Sequence, residues 1–459
     1  MHTHFGLSTF DYIKRARRHC FCMLPLLQPS AACFVSLAAK QASQMGTMAK
    51  LIKMRSLALG LFIALLATAA MAAAQDGDFD QWLQYIAETS DNDDDATLSS
   101  PASPDADAVT GTWKGGVSEL SSSQDKDGSL TKMPKVNRDS IGVLPKPTGK
   151  PVKVVVSKDG KGDYTTITDA INAIPLHAKY RTIIHIKAGV YKEKLVINET
   201  KHYITFLGDG MHKSIISWND TAGDFDDADV LLKTYRSATV GISSEWFIAK
   251  GVSFVNTAPS PPAGAVLRQA VALRITGDRA AFYNCSFYGY QDTLYDHRGR
   301  HYFENCFIQG SIDFIFGNGR SLYRSCELHV VADSFGSLTA QKRNETKMHT
   351  GFSFVDCHVD GTGIIYLGRA WGNYSRTVFS YTYFSDIIYG PGWSDFGFPN
   401  RQAQSLFGQY KCDGPGANSP EQVKWARHLT PQEVKPFLSV GFINGKKWLP
   451  HYIKKPKFT

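Results

Sequence analysis

Two aspartates occupy matching places in a short repeat, and their spacing suggests paired acid–base chemistry. Residues 285–295 and 306–316 align at an offset of 21, which superimposes Asp292 on Asp313. If that offset is one turn of a stacked coil, the two aspartates lie one strand spacing apart, about 4.8 Å. Two carboxyl groups this close do not both ionise freely, so the pair offers one acid and one base or nucleophile. A pair of solvated turn aspartates is the structural alternative, although apolar and aromatic residues follow each Asp.

A repeated aromatic–cysteine pattern accompanies the aspartates and predicts the fold. In each copy a Phe or Tyr stands three positions before a cysteine, and the successive cysteines are Cys285, Cys306, Cys326 and Cys357, with the last step longer than the others. Short units rich in Val, Ile, Phe and Tyr, without helical periodicity, are typical of coils stacked as a solenoid. We therefore predict an all-β chain folded as a parallel β-helix, with these cysteines in one column. The same spacing places Asp333, seven positions after Cys326, as a third member of the aspartate column.

Strand and helix patterns surround this column. Apolar runs bounded by turn residues predict strands, and two amphipathic stretches predict short helices, the first of which we expect to cap the open end of the solenoid. The predicted strands cover residues 154–156, 182–186, 194–197, 204–207, 247–254, 363–367 and 377–383, and the helices cover residues 168–174 and 431–438.

Residues 1–74 predict an export signal. Basic residues precede an apolar run at 57–70, and small residues follow it up to Ala74, a pattern typical of a secretory signal peptide cleaved near Ala74. The apolar run is short for a membrane span, so a membrane anchor or a buried helix is the weaker alternative. Because the pattern starts late, we expect translation to begin at Met48 or Met54, which would leave residues 1–47 outside the protein.

Charge is divided unevenly along the chain. The formal net charge is +8, but residues 75–150 carry a net −7 and residues 151–459 a net +8. Residues 75–150 are also poor in apolar side chains, so we expect a largely disordered acidic extension ahead of a β-helix domain over residues 151–459. A basic domain favours a polyanionic partner through long-range attraction. Nucleic acid is not favoured, because the sequence has no stripe of Lys and Arg and no binding motif.

The cysteines predict a structural role. In a secreted protein disulfides can form, and adjacent coils bring two cysteines within bridging distance, so Cys326–Cys357 is the preferred bridge. A column of unbridged, buried thiols is the alternative. No spacing of His, Cys or carboxylates matches a metal site, so we predict no metal and no structural zinc.

Asn-x-Ser/Thr triplets predict that the domain is a glycoprotein. A fifth triplet, at Asn284, lies within the repeat, and we expect it to be too buried for modification. The four predicted acceptors are Asn198, Asn219, Asn344 and Asn373.

Five motifs stand out along the chain, at residues 189–193, 269–274, 289–295, 313–317 and 367–371. Taken together and in this order, they resemble the signatures of the pectinesterases (pectin methylesterases). The resemblance covers about residues 153–450 and includes the terminal stretch 443–450. Ala370 stands where the family often has Pro, at a position that supplies no chemistry.

The resemblance implies a right-handed parallel β-helix and a catalytic set. Asp313 would be the nucleophile that attacks the methyl-ester carbonyl of a galacturonate unit, and Asp292 would act first as acid and then as base. Gln269 and Gln291 would donate hydrogen bonds to the developing oxyanion. Arg369 would hold Asp313 ionised through a charge-assisted pair.

The resemblance also implies how substrate and partners bind. Trp371, Tyr295 and Phe316 would line a groove for pectin (homogalacturonan), although each aromatic alone is more often a core residue. Residues 75–150 are too short, too acidic and too poor in cysteine to be the inhibitor-like pro-region of many plant members. We therefore expect a separate proteinaceous inhibitor, no cofactor, a monomer, and a secreted enzyme that modifies the plant cell wall.

Other functions remain open at this stage. A serine esterase is disfavoured, because no Gly-x-Ser-x-Gly motif is present. Pectate lyases and polygalacturonases share the β-helix, but their calcium site with an arginine base, or their paired Asp with a His, cannot be placed here. A pectin-binding wall protein without activity is the alternative from another class.

Overall fold

All paired strands in the described part of the chain run parallel, and together they wind into a β-helix. The structure is a computed structural model, and it describes residues 144–449. The predicted signal peptide, alternative start sites and most of the acidic extension lie outside the described residues. The predicted parallel β-helix is confirmed.

One sheet forms a continuous face of the helix. It contains eleven strands, each paired with the equivalent strand of the next coil. With strands numbered in chain order, its order is β1 (Val152–Val156), β2 (Thr182–Ile186), β5 (Ile204–Gly208), β8 (Ile248–Lys250), β11 (Ala280–Tyr283), β14 (Arg300–Glu304), β17 (Arg320–Arg324), β19 (Gly351–Val355), β21 (Arg376–Ser380), β24 (Leu406–Tyr410) and β25 (Arg427–His428).

The second sheet contains fourteen strands and covers the remaining faces. Its main path runs β3 (Gly189–Lys192), β6 (Ser214–Trp218), β9 (Val252–Asn256), β12 (Ser286–Tyr288), β15 (Phe307–Gly310), β18 (Glu327–Gln341), β16 (Ile312–Gly317), β13 (Leu294–Asp296), β10 (Leu273–Ile275), β7 (Val240–Ile242) and β4 (Leu195–Ile197), and β20 (His358–Ala370) joins β18 to β22 (Tyr383–Phe384) and β23 (Trp393–Ser394).

Two long strands connect both parts of this second sheet. The first half of β18 pairs with β15 and its second half pairs with β16, while β20 follows β18 along most of its length. A register shift between Val331 and Phe335 marks the bend. The strands of earlier coils are interrupted at this level, so β18 and β20 carry residues of two faces on one continuous backbone.

Stacked aromatic rings fill the interior, because equivalent positions of successive coils point the same way. Phe282 stacks on Phe303 at 4.8 Å between ring centroids, and Tyr323 stacks on both Phe303 and Phe354 at 4.5 Å. All four rings are fully buried. The aromatic positions of the sequence repeat therefore form one ladder through the core.

The predicted Cys326–Cys357 disulfide is wrong: both thiols are free and buried. Each sulfur lies in a column of like-oriented side chains, and the Cys326 Sγ donates to the carbonyl of Phe303 in the preceding coil. Burial raises the pKa of the Cys285 thiol to about 12, and it raises the pKa of Cys326 and Cys357 well above the ordinary value. The column of unbridged thiols is what the fold contains.

Short helices and 3₁₀ turns lie between and beyond the strands. The first, α1 (Ile167–Asn172), begins after Thr166, whose hydroxyl accepts from the Asp169 N–H. It buries Ile167, Ala170 and Ile171 against the first coils, as predicted for a cap. The remaining helices are α2 (Lys233–Arg236), α3 (Pro431–Val434) and the 3₁₀ turns Pro399–Arg401, Lys435–Phe437, Val440–Ile443 and Gly445–Lys447.

Two strand predictions need correction. The predicted strand over 247–254 is two strands, because Gly251 between them has a positive φ of 65° and turns the chain to the next face. Strands β23 to β25 continue the solenoid beyond the last predicted strand, and their flanking prolines and glycines had suggested irregular structure.

The helices between residues 144 and 449 are all too short to span a membrane.

Candidate active site

The fold brings Asp292 and Asp313 to equivalent positions in successive coils. Gln291 pairs with Ile312 in a parallel bridge, and the Asp292 N–H donates to the Ile312 carbonyl at 3.0 Å. Both aspartates have left-handed backbone conformations, with φ of 64° and 47°, which Asp tolerates better than most residues. Their exposed fractions are 9% and 8%. The predicted stacking of the two residues is confirmed by this register.

Asp313 lies in β16 and is held by two neighbours from adjoining strands. The Arg369 Nε donates to Asp313 Oδ1 at 2.8 Å, and its second nitrogen pairs with Oδ2, so the contact is bidentate. The Ser337 hydroxyl also donates to Oδ1 and accepts from the Asp313 N–H at 3.0 Å. Burial alone would lower the pKa of Arg369, but the charge and hydrogen bonds of Asp313 raise it. The Asp313 carboxylate is thus fixed in orientation and given a counter-charge.

Asp292 precedes β13 and has a different environment. Its carboxyl makes no hydrogen bond to another described residue, although its side chain is almost fully buried. Burial and then the charge of Asp313 raise the pKa of Asp292 well above its ordinary value, and Arg369 opposes this only in part. The site therefore pairs a carboxylate that has a guanidinium partner with a carboxyl group that favours its protonated form.

Gln291 directly precedes Asp292 in the chain, and Gln269 lies in the coil before it. Ala270 donates its N–H to the Gln291 carbonyl at 3.1 Å, which sets the two glutamine-bearing segments side by side. Both side chains are partly exposed, and neither amide bonds to another described residue. The buried Oε1 of Gln269 has no partner among the described residues. Two amide groups next to the aspartates are therefore available to a ligand.

The three predicted groove aromatics are neighbours, but they differ in exposure. Tyr295 and Phe316 stack at 4.2 Å and are 6% and 2% exposed, so their ring faces are covered. Trp371 lies 5.9 Å from Phe316 and is only partly buried. The Lys342 ammonium lies 4.3 Å from the centre of the Trp371 ring. A partly exposed indole beside a cation suits a sugar that carries a carboxylate.

Asp333 is not a member of the column, contrary to the prediction. Gly310 and Ile312 are two residues apart, but their partners Val330 and Ser337 are seven apart, so this coil carries a five-residue protrusion. Asp333 lies in that protrusion, is exposed, and accepts a 3.4 Å hydrogen bond from Ser260. The residue that reaches Asp313 at this level is Ser337, which the sequence repeat could not identify because the protrusion shifts the register.

Comparisons with known proteins agree with this geometry. The Pectinesterase family model matches residues 153–446. Pectinesterase QRT1 of Arabidopsis thaliana is 47% identical over 298 residues, covering 64% of this chain and 78% of the relative. Putative pectinesterase 14 of the same plant is 44% identical over 296 residues, with coverage of 64% and 87%.

Solved structures show the same fold. Pectin methylesterase from carrot superposes with a TM-score of 0.60 at 36% identity, covering 64% of this chain and 94% of the carrot chain. A pectin methylesterase in complex with a hexasaccharide superposes with a TM-score of 0.54 at 29% identity, covering 63% and 96%. The matches leave the lyase and polygalacturonase alternatives without support. This chain belongs to the pectinesterase family and is a carboxylic ester hydrolase built on a parallel β-helix.

Proposed function

We propose that this enzyme hydrolyses the methyl esters of homogalacturonan through Asp313 and Asp292. The observation that carries the proposal is the asymmetry of the stacked pair: Asp313 is oriented by Arg369, and Asp292 is buried without a hydrogen-bond partner among the described residues. The relatives are named pectinesterases, and one neighbouring structure holds a hexasaccharide, which supports pectin as the substrate.

The reaction would proceed in two steps. In the first, an oxygen of the Asp313 carboxylate bonds to the ester carbonyl carbon, the bond to the methoxyl oxygen breaks, and Asp292 gives its proton to that oxygen, releasing methanol. In the second, the Asp292 carboxylate takes a proton from water as the water oxygen attacks the same carbon. The bond to Asp313 then breaks, which restores both aspartates and frees a galacturonic acid unit that ionises in water.

Neighbouring side chains would stabilise charge and bind the polymer. The amide groups of Gln269 and Gln291 would donate to the oxygen that becomes negative in each step. Trp371 would offer a face to the sugar ring, with Phe316 and Tyr295 packed behind it as support. The net +8 of residues 151–459 would draw a polyanionic polymer toward the enzyme.

The wider setting of the enzyme is also part of the proposal. We propose that residues 1–74 direct secretion, that residues 75–150 form an acidic extension, and that residues 151–459 form the catalytic domain of a monomeric cell-wall enzyme. The sequons at Asn198, Asn219, Asn344 and Asn373 are all exposed, which supports glycosylation. A form that lacks the inhibitor-like pro-region would be controlled by a separate inhibitor protein. Mass spectrometry of the secreted protein tests the cleavage site near Ala74, and a mature N-terminus upstream of Met48 would contradict it.

The central test is methanol release from highly methylesterified pectin by the purified full chain. We expect Asp313→Asn to lower the turnover by about 10⁴-fold, because the nucleophile is lost while the fold remains. Asp333→Asn is the matched control, since it makes the same change at the exposed residue that the repeat had grouped with Asp313, and it should stay within about twofold of wild type. Substantial turnover by a folded Asp313→Asn variant would overturn the assignment. A folded wild type that releases no methanol would instead favour a pectin-binding protein.

A further inference from the structure

Four side chains that can bind metal form a square on the outer face of the second sheet. In the register of β18 and β20, Glu327 pairs with His358 and His329 pairs with Asp360. Alternate residues of a strand share a face, so the four side chains point the same way. The intervening Leu328 and Val359 are fully buried, which shows that the four face outward.

The ligand atoms of this square are already close together. One atom each of Glu327, His329 and Asp360 lie within 4.8 Å of one another. The His329 Nδ1 is 2.8 Å from Asp360 Oδ1, and the His358 Nε2 is 3.6 Å from Asp360 Oδ2. A single surface His–Asp pair contributes little to stability, and it gives no reason for a second imidazole and a second carboxylate on the same face.

Ring stacking fixes the direction of both imidazoles. His329 stacks against Phe307 of the preceding coil, with ring centroids 5.7 Å apart and an angle of 29° between planes. His358 stacks against Tyr383 of the following coil at 4.7 Å and 4°. Imidazoles held in one orientation lose less freedom when they bind an ion, which favours a preformed site.

The surroundings favour a cation. Glu327, His358 and Asp360 border a shallow depression whose other polar lining residues include Asp356 and Asp413, and its lining contains no Lys or Arg among the described residues. Carboxylates alone would suit calcium or magnesium, whereas imidazoles with carboxylates suit zinc and similar transition metals.

We propose that Glu327, His329 and Asp360, with His358 beside them, bind one divalent transition-metal ion such as Zn²⁺. Bound there, the ion links adjacent coils through β18 and β20, and it stabilises the folded state by an amount that grows with the logarithm of the free-ion concentration above the dissociation constant. The site lies on the far side of the five-residue protrusion from Ser337, so it is distinct from the catalytic pair. The proposal revises the sequence-based prediction of no metal. The sequence-based prediction considered spacing along the chain, whereas the two ligand pairs belong to different coils and are far apart in the sequence.

The test is calorimetric titration of zinc chloride into the purified full chain after treatment with a chelator. We expect the double variant His329→Ala/Asp360→Asn to bind one zinc equivalent fewer than wild type, and each single variant to bind that equivalent at least about tenfold more weakly. Asp356→Asn is the matched control, because it removes one negative charge from the same depression without removing a ligand, and it should retain wild-type affinity within about twofold.

Each other outcome is decisive. Equal zinc binding by wild type and the double variant would overturn the proposal, and so would an Asp356→Asn effect as large as that of Asp360→Asn, which would indicate diffuse charge attraction. Calcium that binds this site more tightly than zinc would overturn the choice of metal. Circular dichroism and methanol release on the same samples show that the variants are folded. They also keep a failure of the esterase proposal separate from a failure of this one.

Discussion

Asp292 and Asp296 lie four residues apart in one coil, and both are buried, but their surroundings differ completely. Asp296 is fully buried in β13, with Oδ1 at 2.5 Å from the His301 Nδ1 and Oδ2 accepting from the Tyr323 hydroxyl at 2.7 Å. The His301 Nε2 lies 3.0 Å from the Gly277 carbonyl, which only accepts, so that nitrogen carries a hydrogen. Asp292 has no hydrogen-bond partner for its carboxyl group among the described residues.

The difference teaches that burial alone does not make a carboxyl group reactive. Both oxygens of Asp296 have a side-chain hydrogen-bond partner, so the group is fixed in orientation and serves the core. Asp292 lacks such partners among the described residues, and its pKa is raised by burial and by Asp313. Perturbed pKa values of this kind cluster at functional sites, and the fold provides one carboxyl group of each kind within a single coil.

The largest expected effect separates the two aspartates by activity. We expect Asp292→Asn to lower kcat for methanol release by about 10³-fold, because the proposed general acid and base is lost. Thermal unfolding should show no loss of stability, since the substitution removes a carboxyl group whose ionisation burial opposes. A wild-type kcat in the Asp292→Asn variant would contradict the proposal that Asp292 takes part in the reaction.

The second prediction distinguishes Asp296 from Asp292 by their effects on stability. We expect Asp296→Asn to lower the free energy of unfolding by about 3 kcal/mol, because the substitution breaks the buried hydrogen-bond network that joins this side chain to His301 and Tyr323. Urea denaturation measures this change, with Asp292→Asn as the matched control. The fraction that remains folded should keep most of its methanol release, and a stability equal to wild type would show that the Asp296 network is dispensable.

The smallest effect is a dependence of stability on pH. The pKa of Asp292 is raised in the folded state, so its contribution is complete below the ordinary pKa of about 3.9 and is lost as pH rises through the raised value. In that window, the unfolding free energy of wild type should fall relative to Asp292→Asn, with a slope of at most about 1.4 kcal/mol per pH unit. Urea titrations at a series of pH values give this difference, and a difference that stays constant with pH would mean that Asp292 is not shifted.

The fold was predictable because it repeats. Four successive coils carry an aromatic residue and a cysteine at equivalent positions, and the structure stacks Phe282, Phe303, Tyr323 and Phe354 in that order. The stacking of Asp292 and Asp313 followed from the same repeat. The alignment of equivalent residues in successive coils is therefore the feature that this sequence predicts most directly.

Features that the repeat does not encode were not predictable. The predicted position of Asp333 in the aspartate column was wrong, because a protrusion shifts the register of this coil. For the same reason, the repeat could not identify Ser337 as the residue that contacts Asp313. The disulfide prediction used distance alone, although direction decides whether two thiols meet. The partners of Asp296 come from two other strands, so the sequence around it does not distinguish it from Asp292.

The coil between Cys326 and Cys357 has a further consequence. It contains more chain than the coil between Cys306 and Cys326, yet Tyr323 and Phe354 stack at the same 4.5 Å as Phe303 and Tyr323. The stacking distance between rings in the core is therefore the same for a short coil and for a long one. The rim can lengthen, shorten or be exchanged between relatives while the core keeps its order. An enzyme with this fold can change its substrate preference through the segments outside the core while the stacking of the core stays the same.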